Sequence, residues 1–142
     1  MNSFGNYMPF MQWEQAYSVN IRSIDDQHKK MIDLINELYD CVKGGSERER
    51  LNETFLRLSV YTVKHFIYEE ALFKKHAYSD LFEHKKKHDE LAEQLTEFHK
   101  KYSVQKEEIN EELINFFKET MFEHITTCDR EYIEYMSDHG IK

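Results

Sequence analysis

The chain has 142 residues, the size of one domain with its own hydrophobic core. Its 27 acidic residues outnumber its 19 lysines and arginines, so the formal net charge at neutral pH is −8. A negative field of this kind repels the phosphates of nucleic acids and the head groups of anionic lipids. We therefore expect no nucleic-acid partner and no membrane partner.

The two cysteines, Cys41 and Cys128, form neither a CxxC pair nor the dense framework of a secreted disulfide scaffold. The N-terminal residues lack the basic and leucine-rich regions of a secretory signal, and no later stretch has the apolar length of a membrane helix. The sequence therefore predicts a cytoplasmic protein and gives no support for a disulfide scaffold.

Residues 1–20 carry aromatic side chains without a helical period, which predicts an ordered N-terminal arm packed on the rest of the domain. Residues 21–142 form the predicted helical domain. Glycine occurs only near the chain ends and in one internal pair, so long helices are expected. The predicted helices span residues 24–43, 46–75, 81–101 and 107–136.

Short connections separate these four helices. The pair Gly44 and Gly45 predicts the end of the first helix, and Ser46 followed by Glu49 predicts a capping box for the second. Asp80 is positioned to cap the third helix. Each helix also has an apolar stripe along one face. The sequence thus predicts an all-α fold, an up-down-up-down antiparallel four-helix bundle with an N-terminal arm.

Each predicted helix carries potential metal ligands on its apolar stripe, where a polar side chain without a partner is costly to bury. His65 and Glu69 are four residues apart, and so are His84 and His88, so each pair lies on one face of its helix. Any one of these residues alone is more simply a core histidine, an ion pair or a solvated side chain. Their joint occurrence on the inward faces of one bundle predicts a shared metal site. The six residues are His28, His65, Glu69, His84, His88 and His124.

The other three histidines are predicted not to bind metal. His76 is about 10 Å along the helix from Glu69 and is expected to interact with the C-terminal end of the second helix. His99 lies beside lysines, and His139 lies in the C-terminal tail.

Four segments that contain the candidate ligands resemble hemerythrins, most closely the single-domain bacterial hemerythrins. They read WEQAYSVNIRSIDDQHKKMIDLIN at 13–36, HFIYEE at 65–70, HKKKH at 84–88 and HITTCD at 124–129. The resemblance implies two iron ions, Fe2+ or Fe3+, with a bridging oxo or hydroxo group. It further implies that His84, His88 and His124 bind one iron, that His28 and His65 bind the other, and that Glu69 and Asp129 bridge both.

Asp129 is assigned by the resemblance and not by helical phase. On a regular helix it lies about 140° away from the face of His124, whereas Cys128 falls on that face. Iron in its ferric state also prefers a hard carboxylate oxygen to a thiolate. We therefore predict a local distortion of the helix between His124 and Asp129, such as a single π-helical turn.

The same ligand set leaves one coordination position open, on the iron held by His28 and His65. By helical phase, four apolar residues are predicted to line an O2 pocket there, although plain core packing explains them equally well. They are Met31, Ile32, Phe66 and Met121. Asn20 stands where the family commonly has glycine, and asparagine tolerates a left-handed backbone at such a position.

The resemblance implies reversible O2 binding, for oxygen transport, storage, delivery or sensing, and no enzymatic activity. The alternative is a di-iron enzyme acting on O2, peroxide or nitric oxide. Such four-helix enzymes usually carry Glu-x-x-His pairs, and no histidine here has glutamate three residues before it. A zinc-binding bundle is a third interpretation, but seven ligands exceed the needs of one tetrahedral zinc. An oxygen-consuming enzyme is the predicted protein partner.

Overall fold

The computed structural model describes residues 9–104, 108–128 and 132–141, without the side chains of Val104, Thr127 and Cys128. All regular secondary structure in these residues is helical. The predicted four-helix bundle is confirmed, with α1 contacting both α2 and α4, and α2 contacting α3. The helices are α1 (Arg22–Lys43), α2 (Arg48–Lys75), α3 (Leu81–His99), α4 (Glu111–Glu123) and α5 (Ile133–Asp138).

Two π-helical turns and a short 3-10 helix complete the described elements. The first π-turn, Lys100–Val104, extends α3, and the second, His124–Cys128, follows α4 directly. The 3-10 helix Gln15–Tyr17 precedes α1. The fourth predicted helix, residues 107–136, is therefore divided, because α-helical hydrogen bonding gives way to π-helical bonding at His124.

The glycine pair ends α1 as predicted. Gly45 has φ +68°, and the N–H of Ser46 donates to the carbonyl of Cys41 in a Schellman-type closure. Ser46 is thus part of the end of α1, and the predicted capping box is wrong because Glu47 occupies the N-cap of α2 without a side-chain capping bond. Asp80 is the N-cap of α3 as predicted, but its side chain makes no capping bond.

Two residues other than glycine have a left-handed backbone. Asn20 has φ +61°, which confirms the conformation predicted for this position. Ala77 has φ +53° at the end of α2, where the N–H of Tyr78 donates to the carbonyl of Phe73. Left-handed backbone is unfavourable for alanine, so this connection stores strain that the packing around it must offset.

Two apolar clusters fill the bundle on either side of the candidate ligands. Along α1, Ile24 belongs to one cluster and Met31 to the other, with His28 between them. Along α2, Leu58 and Phe73 likewise flank the ligand positions. The polar layer is therefore sealed at both ends by close-packed hydrocarbon, which excludes water from it.

The N-terminal segment contacts α1 through an aromatic side chain and through its backbone. Phe10 stacks on Tyr39 with ring centroids 4.3 Å apart. The backbone of Met11 forms two hydrogen bonds of 2.7 Å with the side chain of Asn36. A domain boundary after residue 20 stays a prediction. No helix in the described ranges is long and apolar enough to cross a membrane.

Candidate metal centre

Six side chains from four helical segments converge in the polar layer, and each is at most 4% exposed. Their ring nitrogens and carboxylate oxygens form two overlapping groups, and the donor atoms within each group lie within 4.8 Å of one another. One group contains His28, His65, Glu69 and His124. The other contains Glu69, His84, His88 and His124.

Glu69 lies between the two groups, with one oxygen directed to each side. Its Oε1 is 2.7 Å from Nε2 of His84, 3.1 Å from Nε2 of His88 and 3.7 Å from Nε2 of His124. Its Oε2 is 3.4 Å from Nε2 of His65. A carboxylate with its two oxygens divided in this way has the disposition of a bridge between two cations.

The opposite side of the layer is formed by His28 and His65. Their Nε2 atoms are 3.2 Å apart, so both rings direct a nitrogen at the same small volume. The donor set of five imidazoles and a carboxylate fits a pair of iron ions, since imidazole and carboxylate both suit that metal.

The histidines also determine the charge state of Glu69. Complete burial on its own raises the pKa of this carboxyl, because the charged form is desolvated. The charge and hydrogen bonds of His65, together with hydrogen bonds from His84 and His88, outweigh burial and hold the pKa of Glu69 well below its usual range. Glu69 is therefore the ionised carboxylate that a cation requires.

Three further residues, none of which has a predicted role, orient the donors. Nδ1 of His65 is 2.6 Å from Oε1 of Gln27, and Nδ1 of His88 is 2.8 Å from Oε2 of Glu70. An acceptor on Nδ1 keeps a proton on that nitrogen, so a cation that displaces the proton of Nε2 meets a lone pair directed inward. The hydroxyl of Tyr132, fully buried, donates to Oε2 of Glu69 at 3.1 Å.

A local signal exists for two of these residues. Gln27 directly precedes His28, and Glu70 directly follows Glu69, so both lie inside segments that carry the family resemblance. Tyr132 is 63 residues from Glu69 and at the edge of its helical stripe, so only the folded chain reveals its contact.

The π-helical turn at His124–Cys128 confirms the predicted distortion after His124. Asp129 itself lies outside the described residues, as does the side chain of Cys128.

A small cavity of about 20 Å³ adjoins His124. Three of the four predicted pocket residues line it, namely Met31, Phe66 and Met121. Ile32 is buried but lines a groove beside the N-terminal segment instead. A volume of this size accommodates one water molecule or one diatomic molecule.

The cavity adjoins a surface cleft between α3 and α4 with a volume of about 1210 Å³. Cavity and cleft share four lining residues, Leu91, Phe116, Thr120 and His124. The donor layer thus has one side on which only a thin wall of side chains separates it from the surface.

The remaining histidines lie outside the donor layer. His76 is the C-cap residue of α2, and its carbonyl accepts a hydrogen bond from the hydroxyl of Tyr135. His99 stacks on Phe55 with ring centroids 4.4 Å apart, and its partial burial lowers its pKa. His139 is exposed and its Nδ1 contacts the carbonyl of Tyr135.

Fold and site together define a four-helix bundle with a buried histidine and carboxylate metal centre. Residues 19–136 match the family described as "Hemerythrin HHE cation binding domain". The chain belongs to the hemerythrin family.

Known relatives cover nearly the whole chain. A bacteriohemerythrin of Methylococcus capsulatus is 32% identical over 88% of this chain and 95% of its own length. A myohemerythrin of Theromyzon tessulatum is 30% identical over 85% of this chain and 89% of its own length. A crystal structure of wild-type hemerythrin is 31% identical, with a TM-score of 0.85 over 90% of this chain and 98% of that one.

Proposed function

We propose that this protein binds O2 reversibly at a non-haem di-iron site. The observation that carries the proposal is the division of the donors about Glu69. Three histidines face one carboxylate oxygen, and His65 with its neighbour His28 faces the other. Three donors on one side and two on the other make an asymmetric pair, in which one metal has a position left for a ligand. The proposed ligands are His28, His65, Glu69, His84, His88, His124 and Asp129.

Asp129 enters this proposal as the second bridging carboxylate, on the strength of the family resemblance. The π-turn of His124–Cys128 supports it, because i→i+5 hydrogen bonding returns the fifth residue toward the face of the first. The alternative ligand, Cys128, suits a regular α-helix at this position.

When bound, the two irons supply an open coordination position and the two electrons that O2 accepts. The chain supplies the surroundings. Gln27 and Glu70 hold the rings of His65 and His88 in one tautomer, so that no reorientation accompanies ligand binding. Tyr132 holds Oε2 of Glu69 in place.

We assign the cavity beside His124 as the O2 pocket, because the donor atom of His124 also lies within 4.8 Å of those of His28 and His65, on whose side the free position is proposed. Its walls of Met31, Phe66 and Met121 exclude water, which slows hydrolytic loss of the bound ligand. The cleft between α3 and α4 provides the route from the surface, with Thr120 at the boundary between cleft and cavity. Ile32 is left out of this pocket.

The test is anaerobic reconstitution with ferrous iron, followed by optical spectra during repeated addition and removal of O2. We expect two irons per chain and a visible charge-transfer band that appears and disappears reversibly. One metal per chain without a spectral change would overturn the di-iron proposal. Irreversible bleaching with substrate turnover would instead identify an enzyme acting on O2, peroxide or nitric oxide.

Two variants test Asp129 in the same assay. Asp129→Ala is expected to lose one of the two irons, because a bridging ligand contributes to both. Cys128→Ser is the control and should retain both irons. Loss of iron in Cys128→Ser alone would reverse the assignment.

The buried free thiol of Cys41 supports a reducing compartment as the place of action. An oxygen-consuming enzyme remains the expected partner.

A further inference from the structure

The outer face of α2 carries a line of exposed apolar side chains. Leu56 is 52% exposed, Val60 44%, Val63 37% and Ile67 63%. Their spacing of four, three and four residues is that of a coiled-coil seam, which places them on one nearly straight line about 17 Å long. We call these four residues the α2 seam.

The α2 seam is separate from the face by which α2 joins the bundle. The inward face carries Phe55, Leu58 and Thr62 as well as the ligands His65 and Glu69, and all five are buried. By helical phase the seam lies on the opposite side of the helix. A helix that is apolar on two opposite faces is expected to pack on both. Among the described residues, no element of the chain covers the seam, since its side chains are exposed.

Two charged residues extend the seam, one at each end. Glu49 lies seven residues before Leu56, and Lys74 lies seven residues after Ile67, so both fall on the same line. Both side chains are exposed, and neither forms an ion pair with another described residue.

These positions are self-complementary in one arrangement. We propose that two copies of this chain associate through antiparallel pairing of α2 across a two-fold axis. Leu56 then lies opposite the partner's Ile67, Val60 opposite the partner's Val63, and Glu49 opposite the partner's Lys74. One register satisfies all three pairs at once, and two-fold symmetry makes each pair twice. Parallel pairing would place Glu49 beside Glu49 and Lys74 beside Lys74, which is repulsive.

The size of the seam determines the kind of association. A stable interface buries roughly 800 Å² on each partner. Four half-exposed aliphatic side chains and one charge pair on a single helix supply less than that. The dimer is therefore reversible and depends on protein concentration.

Sedimentation velocity of the full-length protein over a wide concentration range tests the association. We expect the average mass to rise from monomer to dimer. Val60→Glu and Ile67→Glu are expected to raise the dissociation constant about tenfold or more, because each buries a charge against a partner's aliphatic side chain. The control is Phe82→Glu, since Phe82 is 75% exposed but lies on α3, outside the seam. Circular dichroism is to be used to check that each variant is folded.

Two further experiments test the antiparallel register. Glu49→Lys and Lys74→Glu should each weaken the dimer, and the double variant should restore it. For cross-linking, the double variant Leu56→Cys/Ile67→Cys should form a disulfide-linked dimer under oxidation. Leu56→Cys alone should not, because the two copies of residue 56 are about 17 Å apart along the paired helices. The wild-type chain, with its own two cysteines, is the blank.

Several outcomes overturn the proposal. A wild-type chain that stays monomeric at all concentrations excludes the dimer. Dimerisation only after deletion of residues 1–8 would indicate that those residues, and not a second copy, pack on the α2 seam in the full-length protein. A dimer that is lost in Phe82→Glu but kept in Val60→Glu would lie on another surface. Efficient cross-linking of Leu56→Cys alone would exclude the antiparallel register.

Discussion

Glu70 is expected to control the affinity of one metal without binding it. Its Oε2 accepts the hydrogen bond from Nδ1 of His88 at 2.8 Å, and its side chain is 21% exposed. Replacing Glu70 with alanine removes this acceptor, so the ring of His88 loses both its orientation and part of its basicity. Glutamine keeps an oxygen at this position but loses the charge.

The expected magnitude follows from this geometry. Loss of such an outer hydrogen-bond partner typically lowers metal affinity about 10- to 100-fold. We expect the upper part of this range for Glu70→Ala and the lower part for Glu70→Gln, because hydrogen bonds to a charged acceptor are about twice as strong as neutral ones. A tenfold loss corresponds to about 1.4 kcal/mol, which also disappears from the metal-dependent part of the unfolding free energy.

The measurement is anaerobic titration with ferrous iron against a competing chelator. Iron bound per chain after the chelator challenge should fall from two toward one in both Glu70 variants. Gln27→Ala should produce the same loss at the other metal, because Gln27 contacts His65. The control is Glu53→Gln, an exposed position on α2. Retention of both irons at wild-type affinity in Glu70→Ala would refute the reasoning.

Three further predictions follow from backbone, pocket and core. Ala77→Gly should raise the free energy of unfolding by about 1 kcal/mol in urea denaturation, since glycine adopts the observed positive φ without strain; an unchanged or lower value would contradict this. Met121→Gln should accelerate autoxidation by admitting water to the cavity, whereas Ile32→Val, outside the cavity, should not. An autoxidation rate of Met121→Gln equal to that of the wild-type chain would remove Met121 from the pocket. Burial of His99 lowers its pKa, so protonation of this side chain disfavours the folded state. The contribution of His99 to the free energy of unfolding should be complete above about pH 6.5 and decrease as the pH falls below that value. The decrease should be smaller in His99→Phe, and an equal pH dependence of the two proteins would refute this.

Local features of the sequence were sufficient to predict the bundle and most of the donor layer. The 3.6-residue period is a property of each helix alone, so the inward direction of His28 or His124 follows from neighbouring apolar residues. Glycine acts locally too, and Gly45 ends α1 where the sequence predicts. The capping box at Ser46 failed because the backbone of that residue was already used in closing the preceding helix.

Contacts between distant segments depended on the tertiary structure. The division of Glu69 between two groups of histidines depends on how four helices are rotated and shifted against each other, and no single helix encodes that. The same holds for the contact of Tyr132 with Glu69 and for the cavity. Ile32 does not line that cavity, although its helical phase was suitable. The outward seam of α2 also became evident only after packing had assigned the other face of the helix to the core. Periodicity determined which residues point inward, and packing determined which of them meet, because meeting depends on atoms that are far apart along the chain.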